Sequence, residues 1–91
     1  MSFARALPPA LRELRILLSQ TGPASDGTRQ FIKTTYPVLK QHNPDLPVLI
    51  REARGTPARA FARFERGVEK HVELEGLSSK DVEARIAQMI S

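Results

Sequence analysis

The sequence predicts an α/β domain built on a four-stranded mixed sheet with two principal helices, in the order βαβ followed by ββα. Three observations carry this. Residues 11–18 alternate in the two-residue period of a strand, a helical stripe then leads into a second short apolar run, and two further alternating segments flank a tight turn ahead of a capped helix. The 91-residue length confines these elements to one core, because a second would need roughly another 100 residues.

In the first strand, Leu14, Ile16 and Leu18 fall on one face and Arg15 and Leu17 on the other. Ser19 to Gly27 is a dense run of turn formers, hence a loop. It ends where Ser25 or Asp26 can cap a helix whose stripe is Phe31, Thr35, Val38 and Leu39, with Arg29, Lys33 and Lys40 directed to water. Pro37 lacks an N–H and clashes with the preceding turn, so it should bend that helix. Asn43-Pro44-Asp45 stops it, and Leu46 to Glu52 supplies an apolar run of strand length. A helical crossover between two short strands requires them to be parallel, with a right-handed connection.

Arg54-Gly55-Thr56-Pro57 is a turn. After it, Ala58, Ala60, Ala62 and Phe64 oppose Arg59, Phe61, Arg63 and Glu65, giving one small apolar face and one mostly charged face. Arg66-Gly67 marks a hairpin, and Val68, Lys70, Val72 and Leu74 against Glu69, His71 and Glu73 form its antiparallel return strand. Ser78-Ser79-Lys80-Asp81 starts a final helix with Val82, Ile86, Met89 and Ile90 inward. Residues 1–10 read as a basic N-terminal tail and residues 11–91 as the single domain.

Composition narrows the function classes. With no cysteine there is no disulfide, no thiolate metal site and no dithiol redox pair, as suits a reducing compartment. No apolar run approaches the ~20 residues that span a bilayer. Fourteen Lys and Arg against ten Asp and Glu give +4, and ten of the cations are Arg. Such a surface suits bidentate docking to acidic protein or RNA, and equally a merely solvated one. Before Glu13 there are two Arg and no acid, the bias of a mitochondrial targeting segment, which if present would be uncleaved because cleavage would enter the first strand. A basic tail without targeting function fits the same residues.

The order of elements is that of the minimal thioredoxin fold, and particular residues strengthen the likeness. Leu11 to Gln20, Arg29 to Glu52 with its Asn43-Pro44-Asp45-Leu46-Pro47-Val48-Leu49-Ile50-Arg51-Glu52 core, Pro57 to Glu65 and Ser78 to Ile86 together resemble the small thioredoxin-like accessory subunits of mitochondrial NADH:ubiquinone oxidoreductase (respiratory complex I), whose domain is shared with certain mitochondrial ribosomal proteins. The resemblance covers about four fifths of the chain. It implies a non-catalytic subunit on the matrix side of the inner membrane, in the peripheral arm beside the NADH-oxidising module and its large iron–sulfur subunit. It implies no flavin, iron–sulfur cluster or quinone held by the chain itself, and no membrane insertion. The alternative it leaves open is a ribosomal protein contacting rRNA. The chain lacks the long basic C-terminal extension that threading into RNA would favour.

Where some relatives keep cysteines, this chain has Ser19 and Ala53. A serine hydroxyl offers no comparable thiolate chemistry, so Ser19 is expected to bond nearby backbone. His42 and His71, with no cysteine, do not make a zinc site. Glu69, Glu73 and Glu75 have the spacing of a solvated strand face, and the five scattered glycines form no phosphate loop. The resemblance places a cis-proline at Pro57. The remaining signal is Arg51, Arg54, Arg59, Phe61, Arg63 and Arg66, read as a partner-docking patch in which Phe61 is the buried anchor between Arg59 and Arg63. The competing reading makes Phe61 a core residue with solvated or stacked arginines.

Overall fold

A computed structural model describes Phe3 and residues 6–91. Its elements are β1 (Leu11–Leu18), α1 (Asp26–Thr34), α2 (Tyr36–His42), β2 (Val48–Glu52), β3 (Arg59–Phe64), β4 (Glu69–Glu73) and α3 (Ser79–Ile90), with short 3-10 turns at Pro23–Ser25 and Glu65–Gly67. The strands form one sheet in the order β2-β1-β3-β4. β2 runs parallel to β1, while β1–β3 and β3–β4 are antiparallel. This mixed sheet is the predicted α/β architecture, and its order of elements is compatible with a thioredoxin-like arrangement.

Alternation in the strands separates the two faces. Leu14, Ile16 and Leu18 of β1, with Ala58, Ala60 and Ala62 around β3, are almost fully buried and meet Phe31, Leu39, Val82, Ile86 and Ile90 from the helices. Each large side chain buried here is worth on the order of 2 kcal/mol. The alanines leave the helices room to approach β3 closely. Among the described residues no helix covers the other face.

Three local features differ from expectation. The single bent helix is two, because Pro37 cannot donate the bond that would continue the helical ladder across Thr35. Bonds from the N–H groups of Thr35 to Phe31 and of Leu39 to Thr35 keep the pieces joined. Val68 is exposed rather than part of the return strand, because the hairpin turn is wide: Arg66 and Gly67 both take positive φ, and β4 begins at Glu69. The segment read as a tail sends Phe3 and Leu7 into the core, with Phe3 packing edge-on against Phe31 at 5.8 Å. Burial of these two apolar side chains outweighs the basic bias that suggested a tail.

The Thr56–Pro57 bond is trans, which corrects the expected cis-proline. Trans is favoured by about 0.5–1 kcal/mol even before proline. The chain reverses here by other means, with Gly55 at φ 73° and the Thr56 N–H donating to the Ala53 carbonyl.

At the α3 N-terminus the Ser78 Oγ accepts from the Asp81 N–H at 3.2 Å, as the capping signature predicts. At α1 no side-chain cap forms. Gly27, in the first turn of α1, lies so close to the β4–α3 connection that a Cβ there would meet the Leu77 carbonyl oxygen at 1.9 Å. Only glycine allows this approach.

Candidate functional site

Two places were candidates from the sequence: the loop at the end of β1 and the charged face of the sheet. In the loop, the Ser19 Oγ accepts from the Gly22 N–H at 3.0 Å, and the Ser19 N–H donates to the Ser25 Oγ at 3.1 Å. The Arg29 guanidinium donates to the carbonyls of Ser19 and Gly22 and pairs with Asp26. Ser19 and Ser25 are buried. Both hydroxyls thus serve the loop's own backbone, and Arg29 locks it to the helix. This arrangement offers rigidity and presents no activated nucleophile.

The helix-free face is a grid set by strand register. One row reads Leu49, Arg15, Phe61, His71 across β2, β1, β3 and β4. The next reads Arg51, Leu17, Arg59, Glu73, and a third holds Glu13, Arg63 and Glu69. Phe61 is half-buried on this face and belongs to neither core nor open solvent. The guanidinium over its ring, at 5.2 Å, is that of Arg15, and His71 flanks it at 5.7 Å. Arg59 and Arg63 sit in the rows above and below.

The charges on this face are unevenly matched. Glu13 lies 3.7 Å from Arg15 and 3.3 Å from Arg63. Glu69 holds Arg15 at 2.9 Å, and Glu73 holds Arg59 at 3.0 Å. Glutamates of β1 and β4 thus match Arg15, Arg59 and Arg63, while Arg66 at the hairpin has no ion-pair partner among the described residues. Arg51 and Arg54 have no ion-pair partner among the described residues.

The six-residue patch accordingly divides. Arg51 and Arg59 share a row through Leu17, and Arg54 lies on the turn just beyond Arg51. Arg63 is drawn to Glu13. Arg66 sits at the hairpin tip, beyond the far end of β3 from Arg59, and five residues of extended strand separate that end by roughly 17 Å. Sequence reasoning missed Arg15 and Glu13. Alternation already placed them opposite Leu14 and Ile16, but the cross-strand register that joins them to Phe61 and Arg63 is not written in any local segment.

His42 and His71 are both exposed, His42 with its Nδ1 3.1 Å from the Val38 carbonyl. Among the described residues no three His, Asp or Glu side chains converge as a metal-holding group, and no helix is long and apolar enough to cross a membrane.

The domain thus combines a self-bonded loop with an open sheet face that mixes apolar and charged side chains. Residues 28–79 match the model of the mitochondrial ribosomal protein L51 / S25 / CI-B8 domain, and the chain belongs to that family. The chain is also similar to proteins named as subunits of NADH dehydrogenase. It is 43% identical over 90 residues to the NADH-ubiquinone oxidoreductase 10.5 kDa subunit of Neurospora crassa, covering 99% of this chain and 96% of that one. It is 43% identical over 82 residues to NADH dehydrogenase (ubiquinone) 1 alpha subcomplex subunit 2 of Arabidopsis thaliana, covering 90% and 84%. The Mus musculus protein of that name is 41% identical over 81 residues, covering 89% and 82%.

Proposed function

We propose that the chain is a non-catalytic accessory subunit of mitochondrial respiratory complex I, held peripherally on the matrix side of the inner membrane, where it supports NADH-to-ubiquinone electron transfer without entering the chemistry. The observation that carries this is the near full-length identity of 41–43% to relatives named as subunits of that enzyme. The local structure supports it. The chain has no cysteine, and where a thioredoxin-type thiol would stand, the Ser19 hydroxyl is spent on the backbone N–H of Gly22. What the fold presents to a partner is surface. The partner this reading favours is the large iron–sulfur subunit of the NADH-oxidising module, and the contact is through the helix-free face of the sheet.

The family also includes mitochondrial ribosomal proteins by its description, and the +4 charge is compatible with RNA. Native fractionation of mitochondria separates the two readings. The expected result is comigration of the chain with NADH dehydrogenase activity, and cross-links from it to the large iron–sulfur subunit. Comigration with ribosomal RNA instead would assign it to the ribosome.

A further inference from the structure

The two edges of the sheet differ in a way that the complex I reading does not itself require. β2 is an edge strand with β1 on one side and no strand on the other among the described residues. Its sequence begins Val48-Leu49-Ile50, and Leu49 is 51% exposed on the open face. Beside it Leu17 lies half-buried, and Arg15, Leu17, Leu49 and Arg51 border a groove of about 560 Å³ along β1 and β2. An apolar edge strand with an unpaired backbone is normally blunted by charge, by proline within it or by a covering element. Arg51 and Arg54 supply charge at one end, yet neither has an acidic partner among the described residues, although Arg15, Arg59 and Arg63 of this face are each matched by a glutamate of the chain.

From this juxtaposition of an exposed leucine, a groove and two unmatched guanidinium groups at an open edge, we infer that the strip Leu17, Leu49, Arg51 and Arg54 is the docking surface for an acidic segment of a neighbouring protein subunit, anchored by an apolar side chain over Leu49. Charge complementarity selects this occupant. A second copy of the chain would bring net positive charge to a positive strip, and RNA would leave Leu49 without a counterpart. On β3, Arg59 and Arg63 are each ion-paired within the chain, to Glu73 of β4 and Glu13 of β1, and with Phe61 they contribute support rather than the contact itself.

This inference rests on the chain being a subunit of a larger assembly, and the test separates the two claims. Cells lacking the endogenous chain are supplied with the full-length wild type, Leu49→Asp/Arg51→Glu, Arg51→Glu/Arg54→Glu or Arg63→Ala, and the share of each that comigrates with complex I is measured on native gels. Thermal unfolding of each purified variant confirms that it folds. Both β2-side variants are expected to lose incorporation at least tenfold while Arg63→Ala keeps it. Wild-type-like incorporation of the folded β2-side variants would overturn the docking surface and leave the complex I reading intact. Should the wild type migrate with another assembly, the complex I reading falls, and incorporation of the same variants into that assembly is measured instead. There too, a tenfold loss supports the docking surface and wild-type-like incorporation overturns it.

Discussion

At the β4 edge the strand reads Glu69-Lys70-His71-Val72-Glu73, and its two glutamates reach back across the sheet to Arg15 and Arg59. At the β2 edge the strand reads Val48-Leu49-Ile50-Arg51-Glu52, exposes Leu49 and leaves Arg51 without an ion pair among the described residues. Both edges flank the same pair of central strands and share the same helical layer beneath. The difference lies in whether the side chains of the open face find their partners within the chain. Where they do, the edge is protected against adventitious pairing. Where they do not, the surface is available to another molecule, at the risk of aggregation when that molecule is absent.

The largest effect should come from the layer common to both edges. Gly27→Ala would force a methyl group into the Leu77 carbonyl and push α1 away from the connection that leads into α3. A loss of about 3 kcal/mol, the upper range for overpacking, is expected in urea denaturation. A value under ~1 kcal/mol would show that the helical layer yields locally and that the two edges do not depend on it equally.

A smaller and more pointed effect separates the halves of the open face. Phe61→Ala removes a half-buried ring from between Arg15 and His71 and should cost about 2 kcal/mol, below the range for a fully buried phenylalanine. Leu49→Ala, at an exposed site, should change stability by less than ~0.5 kcal/mol. Equal losses at the two positions would erase the distinction between a supporting half and a docking half.

The smallest effect tests the charge balance itself. Glu69→Gln weakens an exposed pair with Arg15 and should cost about 0.5 kcal/mol at low salt. The gap from wild type should close near 1 M salt, where the screening length falls to about 3 Å. A difference that persists in high salt would mean that Glu69 acts through packing and not through charge.

The elements were largely legible because their signals are local. Alternation placed β1 at its observed bounds and Ser78 announced the α3 cap, while Pro37 signalled a bend where the chain in fact starts a second helix. The hairpin was legible in place but not in width, since Arg66 adopts a left-handed conformation that its residue type does not advertise. The candidate surface was half legible. Arg51, Arg59, Phe61 and Arg63 do lie on one face, but the cation stacked on Phe61 comes from β1, and the glutamates that neutralise the patch come from β1 and β4.

By itself, then, the sequence determined the class of fold, the order of its elements, the absence of thiol chemistry and the two-faced character of β1, β3 and β4. All of these follow from residue types and periods within a dozen positions. The tertiary structure alone decided which arginines are spent and which remain. Ion pairing on a sheet depends on register between strands far apart in the chain, and no single segment carries that register. It also decided that Phe3 and Leu7 complete the core and that Gly27 must be glycine, because close approach of distant segments is a property of packing and not of any one of them.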